Sequence, residues 1–170
     1  MRARVFAICV GLAVALTGCG GDDAVRGGAD SSADKTQQVD PTAGRRGPLA
    51  THGVVDCVES YAPAAVTKRA LAFDGVVIDI GRSVSDRAGG GDLDLPGVTF
   101  RVTQWFGGGE GSTSTVDLQL PEDSYGIGSR LLVSGESRRG DPELTDAIAW
   151  PCGFTRYYDA ETAQAWEDAY

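Results

Sequence analysis

Short stretches in which apolar and polar residues alternate fill the second half of the chain, and this alternation is typical of strands with one buried face. The clearest stretch is 97–106, where valine and phenylalanine occupy alternate positions along its first half. In 115–120 the alternation directs Asp117 and Gln119 outward. In the first stretch, 71–80, the apolar residues change from one face of the strand to the other at Gly75, which indicates a bulge or a bend. We predict strands at 71–80, 97–106, 115–120, 131–133 and 147–150.

Two segments show helical spacing instead. A short turn of helix is predicted at 64–70, and a C-terminal helix at 159–170 begins with Asp159 as its capping residue. Three residues share one face of the second helix and would seat it on the strands: Ala163, Trp166 and Tyr170. The glycine-rich segments 88–94 and 107–111 are predicted loops and turns between strands. The pattern as a whole favours a mainly β domain, either a small barrel or a sandwich.

The N-terminus has the pattern of an export signal. Two arginines within the first four residues precede an apolar run at 5–16, which is too short to span a bilayer that needs about 20 helical residues. The following Leu16-Thr17-Gly18-Cys19 resembles the lipobox of bacterial lipoproteins. The resemblance implies that residues 1–18 are removed as a signal peptide and that the Cys19 thiol receives a diacylglycerol, often with a further acyl chain such as palmitate on the freed amine. The alternatives are a plain secretory signal with an incidental cysteine, and an uncleaved anchor.

The residues after Cys19 have a composition that opposes folding. Within 20–53 the larger apolar residues are only Val25, Val39 and Leu49, and there is no aromatic residue. Such a segment buries too little apolar surface to offset the entropy of ordering it. We therefore predict a lipidated, disordered linker over 19–53 and a folded domain over 54–170. The one histidine of the chain, His52, falls in the linker, where a solvated role is favoured over one as a ligand or general base.

The four cysteines acquire separate roles under this interpretation. Cys9 leaves with the signal peptide and Cys19 carries lipid, so that Cys57 and Cys152 remain in an oxidising compartment. A remaining pair favours a disulfide bond, with two buried free thiols as the alternative.

The order of these segments is similar to a known group of domains. The segments that carry the similarity are Cys57, Ala72-Phe73-Asp74-Gly75-Val76-Val77, Val98-Thr99-Phe100-Arg101-Val102, Trp105-Phe106-Gly107, Gly128-Ser129-Arg130-Leu131-Leu132-Val133 and Cys152-Gly153-Phe154-Thr155-Arg156. Over about 55–158 the chain resembles the barrel domain of the tissue inhibitors of metalloproteinases and the wider netrin-like group, above all its bacterial secreted members. The resemblance implies a small closed OB-fold barrel. Metalloproteinase-inhibitor-like activity is an alternative function that the sequence disfavours. The animal inhibitors chelate zinc through an N-terminal cysteine, whereas the nitrogen of Cys57 is an ordinary amide.

Few residues of the domain suggest catalysis. The segment 54–170 has no histidine and no Gly-x-Ser-x-Gly motif, and no His/Cys cluster of the kind that holds zinc, so we expect neither metal nor cofactor. Nine basic against 19 acidic side chains in this segment also oppose nucleic-acid binding. Three arrangements of acidic residues stay open as minor alternatives: catalysis by Asp92 with Asp94, catalysis by Glu122 with Asp123, and calcium binding by Asp86, Asp92 and Asp94.

The function that this sequence favours is non-catalytic binding at the outer face of the cell membrane. The protein would be attached by the lipid on Cys19, and its ligand would be an extracellular protein or glycan. An exposed aromatic surface could serve this role, with five candidate residues: Trp105, Phe106, Tyr125, Tyr157 and Tyr158. The alternative is that most of these rings fill the barrel and seat the C-terminal helix. An envelope enzyme that uses loop carboxylates on cell-wall or sugar substrates, and a purely structural envelope protein, are the alternative functions.

Overall fold

The chain folds into a β-barrel with a C-terminal helix. A computed structural model describes residues 39–49, 57–86, 93–121 and 123–170, all of them within one compact unit, Gln37–Tyr170. Its elements are α1 Pro63–Val66, β1 Leu71–Gly81, β2 Gly97–Gly107, β3 Thr113–Leu118, β4 Arg130–Ser137, β5 Ala147–Ala149, a 3-10 turn at Pro151–Gly153, β6 Arg156–Tyr157 and α2 Ala160–Ala169.

Five of the strands close on themselves. The sheet has the order β1-β2-β3-β5-β4-β6, and β1 also pairs with β4, which closes the barrel and leaves β6 as an addition on β4. All pairings are antiparallel except that of β3 with β5, which is parallel. This arrangement confirms the predicted mainly β fold, its small closed barrel and its C-terminal helix.

The long strand β1 pairs with β2 on one edge and with β4 on the other, and its pairing with β2 is irregular. Its register against β2 shifts at three points, one of them between Asp74 and Gly75. The shift confirms the irregularity predicted at Gly75, where a Cβ atom would lie 3.0 Å from the Phe73 ring and 3.1 Å from Phe100 Cβ. Irregularities of this kind increase the local bend that a small barrel requires.

Two apolar clusters stabilise the fold. The larger one fills the barrel and includes Phe73 and Phe100, whose ring centres are 5.4 Å apart. The smaller one lies between the barrel and the helices and is centred on the fully buried Trp166 of α2. The Asp159 side chain accepts a hydrogen bond from the Thr162 amide at 2.8 Å, as expected for the predicted cap of this helix.

The disulfide bond between Cys57 and Cys152 is present, with a Cα–Cα distance of 5.3 Å. It joins the segment before α1 to the 3-10 turn that follows β5. The expectation of a disulfide is therefore confirmed over that of two free thiols.

The last part of the predicted linker lies within the folded unit. Leu49 is 2% exposed and belongs to the barrel cluster, and Pro48 forms an isolated bridge with Arg156. The Tyr157 amide donates to the Gly47 carbonyl at 3.1 Å. The folded unit thus begins before the predicted boundary at residue 54, because 39–49 is held by backbone hydrogen bonds, by Leu49 and by a hydrogen bond from Arg45 to the Tyr157 hydroxyl at 3.0 Å. Cys19, His52 and the signal segment lie outside the described residues.

Candidate functional site

An open groove of about 580 Å³ lies at the end of the barrel where β1, β3 and β5 begin. It is lined by Leu71 and Trp105, by the β2–β3 turn at 108–110, by 113–115 of β3, and by 142–145 in the loop before β5. Both the turn and the loop belong to the same end of the barrel, because parallel strands β3 and β5 start there. The groove therefore combines a strand edge with two connecting segments.

Trp105 provides the aromatic part of the lining. Its ring centre is 4.9 Å from that of Phe73 in an edge-to-face contact, and its Nε1 donates to the Gly111 carbonyl at 2.9 Å. A Cβ atom on Gly109 would lie 2.5 Å from the Trp105 ring, so the turn packs directly on the indole and only glycine fits there. The ring is thus fixed from two sides before any ligand arrives.

The polar part of the lining is formed by hydroxyl and carboxylate groups. Thr113, Ser114 and Thr115 follow one another along β3, and Glu110 and Glu143 come from the turn and the loop. Neither glutamate forms an ion pair within the part of the chain that the structure describes. None of the described residues in the lining is basic, so the groove they form favours neutral or cationic ligands over anions.

The loop before β5 is held in shape by its own hydrogen bonds. The Asp141 carboxylate accepts from the Glu143 amide at 3.0 Å, from the Thr145 amide at 3.2 Å and from the Thr145 hydroxyl. At its ends, Asp146 accepts from the Arg139 amide at 2.9 Å and from the Ser137 hydroxyl at 2.6 Å. The loop is therefore preorganised along the groove.

A second network ties this loop to the segment after β1. Arg138 donates to the Asp86 carboxylate at 2.6 Å and to the Ser85 hydroxyl at 2.9 Å, and Arg139 donates to the Ser85 carbonyl. The bond from Arg138 holds the pKa of Asp86 below its ordinary value. Fully buried Asp117 of β3 binds the same segment through the Val84 and Ser85 amides, at 2.7 and 2.9 Å.

The structure does not gather the five predicted aromatic residues into one exposed surface. Tyr125 and Tyr157 are 9% and 6% exposed and belong to the barrel cluster. Phe106 and Tyr158 pack against the smaller cluster, where Phe106 meets the Trp166 ring at a centre distance of 5.6 Å. The rings mainly fill the barrel and seat the helix, because the burial of their apolar surface away from water is favourable. Only Trp105 lines the groove.

The predicted acidic sites are only partly described. Asp92 and Glu122 lie outside the described residues, while Asp86 and Asp94 line a separate depression beside Arg82 and Ser83. Among the described residues no group of three or more His, Cys, Asp or Glu side chains could hold a metal ion.

Sequence reasoning missed the groove itself. The polar residues Thr113 and Thr115 begin β3, and Glu110 and Glu143 lie in connecting segments. Polar residues are ordinary at such positions, so the sequence pattern does not mark them as part of a site. The only signal was the run of small hydroxyl residues at 112–115, next to the glycine-rich turn.

Comparison with known proteins does not assign the chain to a group. No protein-family model matches it, and no curated protein is significantly similar to it. Within the described ranges, no helix combines the length and the apolar character needed to cross a membrane.

Proposed function

We propose that the protein is a lipoprotein anchored by lipid to the extracytoplasmic face of the cell membrane, and that its barrel binds a partner through the groove without catalysis. The observation that carries this proposal is the groove, with its fixed indole, its row of hydroxyl groups and two carboxylates that form no ion pair with any described residue. Preorganised walls of this kind lower the entropic cost of binding, because fewer side chains and loops have to be ordered when the ligand arrives. The resemblance to the netrin-like group supports the same role, since OB-fold barrels commonly bind ligands.

Anchoring at Cys19 supports a role in local recognition. The predicted linker between Cys19 and the described residues would let the barrel move relative to the lipid surface, and binding would then occur close to the membrane. In this arrangement the partner is an extracellular or envelope protein, or a glycan. The anchor restricts binding to partners that lie close to the membrane.

Site-specific crosslinking in intact cells tests this proposal. A photoreactive amino acid at exposed Thr113, in the groove, should capture a defined partner, because the groove is the contact surface. The same amino acid at exposed Glu167 on α2 is the matched control and should not capture that partner. Identical products from both positions, or none from Thr113, would contradict a binding role for the groove.

A further inference from the structure

The wall of the groove formed by β3 is an unpaired strand edge. β3 pairs with β5 only through Asp117 and Leu118, at its C-terminal end. Among the described strands, none pairs with 113–116 on the side away from β2. The barrel is thus complete on one half of β3 and open on the other half, where the groove lies.

The hydrogen-bond pattern shows which backbone groups face this opening. The Val102 amide donates to the Ser112 carbonyl at 2.9 Å, and the Leu118 amide donates to the Pro96 carbonyl at 3.0 Å. In an antiparallel pair, residues alternate between those bonded to the neighbour and those directed away from it. The even-numbered residues of β3 are therefore bonded to β2, and the N–H and C=O groups of Thr113 and Thr115 point away from it.

The backbone at the C-terminal end of β3 follows the same alternation. The Gln119 amide donates to the Ala149 carbonyl at 2.9 Å, so the odd-numbered position that reaches β5 does use its outward backbone group. Thr113 and Thr115 have the same parity but have no β5 residue beside them. An unpaired row of this kind is a template for a further strand.

The charge of the groove indicates what kind of strand it fits. Glu110 and Glu143 line the groove from the turn and the loop, and no lining residue in the described part of the chain is basic. A segment with basic side chains would provide the missing partners, whereas an acidic one would be repelled. The fixed Trp105 ring adds a surface on which an arginine or lysine can also lie.

We propose that the groove binds an extended segment of a partner protein, rich in lysine or arginine, as an added strand on the free edge of β3. This inference rests on the proposed binding function and names its ligand class. Thr113 and Thr115 would exchange main-chain hydrogen bonds with the segment, and Glu110 and Glu143 would select its charge.

Peptide binding to the full chain in detergent micelles tests the proposal. The probe is a blocked octapeptide of alternating lysine and threonine, measured by calorimetry. We expect it to bind at least about fivefold more tightly than a peptide of alternating glutamate and threonine, since two ion pairs are at stake. N-methylation of its four central amides should weaken binding at least about tenfold, because main-chain donors are lost.

Two further readouts identify the position. Hydrogen exchange followed by mass spectrometry should show new protection over 112–116 when the lysine peptide is bound. Changing both Glu110 and Glu143 to Gln should remove the charge preference, whereas Glu161→Gln with Glu167→Gln on α2, with the same change in net charge, should keep it. The melting temperatures of both variants verify that each one is folded.

The outcomes separate this proposal from the one on which it rests. Equal binding of the two charge types, or binding without protection of 112–116, would overturn strand addition. If crosslinking from Thr113 still captures a partner in that case, the groove keeps its binding role and its ligand is of another class, such as a neutral glycan. If crosslinking captures nothing while the peptide protects 112–116, strand addition stands and the cellular role fails.

Discussion

Asp117 determines where the segment after β1 lies. Its fully buried carboxylate accepts hydrogen bonds from the Ser83 hydroxyl at 2.5 Å, from the Val84 amide, and from the amide and the hydroxyl of Ser85. Asp117→Asn would replace one acceptor oxygen by a donor that faces other donors. We expect the free energy of unfolding to fall by about 2–4 kcal/mol, measured by urea denaturation.

The control for this change is an exposed carboxylate on β1. Asp79→Asn removes the same charge but should alter the free energy of unfolding by less than about 0.5 kcal/mol. Equal stability of the two variants would show that the hydrogen bonds to Asp117 contribute little.

Asp117 also shows what a sequence can reveal about single residues. The alternation with Val116 and Leu118 directs it away from the barrel interior, and this orientation follows from period alone. Its burial does not follow, because the segment 82–86 that covers it has no periodic pattern of its own. The same limit applies to Tyr125 and Tyr157, whose burial depends on the segments packed around them rather than on their neighbours in sequence.

At the scale of elements, the disulfide bond fastens the segment before α1 to the barrel. Tyr61 in this segment lies with its ring 3.5 Å from the Arg156 guanidinium and 5.7 Å from the Phe154 ring centre. Glu59 forms an ion pair with Arg69 at 2.8 Å. Since Cys57 and Cys152 are 95 residues apart, the bond closes a loop that includes most of the domain and restricts it in the unfolded state.

Removing the disulfide should therefore destabilise the domain strongly. The double variant Cys57→Ser with Cys152→Ser should lose up to about 4–5 kcal/mol of unfolding free energy in the chain-entropy treatment, measured by denaturation in guanidinium chloride. Reductant provides the control, because it should lower the stability of the natural protein to that of the variant and leave the variant unchanged. A natural protein that is insensitive to reductant would contradict the assignment.

Elements with a periodic pattern of their own were predictable from the sequence. The long strands β1 and β2 show clear alternation, and α2 has a capping aspartate and a buried tryptophan at helical spacing. The two-residue strand β6 and the packing of 39–49 show no periodic pattern, because they depend on backbone hydrogen bonds and on isolated side chains such as Leu49 and Arg45. The groove was hidden for the same reason, since it depends on β3 extending beyond its pairing with β5.

At the scale of the whole molecule, charge and attachment act together. Without residues 1–18, 13 basic and 24 acidic side chains remain, a formal charge of −11. Such a protein is repelled by anionic lipid headgroups, so electrostatic attraction would not hold it at a membrane. Under the proposed function, attachment therefore depends on the lipid at Cys19. Two or three acyl chains provide it at about 0.8 kcal/mol for each buried CH₂ group.

Replacement of Cys19 tests this dependence directly. Cys19→Ser should abolish metabolic labelling with a palmitate analogue and shift the protein from the detergent phase to the aqueous phase in detergent partitioning, because position 19 no longer has a thiol to receive the diacylglycerol. Cys9→Ser is the matched control, since it removes a thiol from the apolar run at 5–16 and should leave labelling and partitioning unchanged. Labelling that survives in the Cys19 variant would exclude the lipobox interpretation. Loss of labelling in both variants would show instead that export has failed, which immunoblotting for the uncleaved precursor would detect.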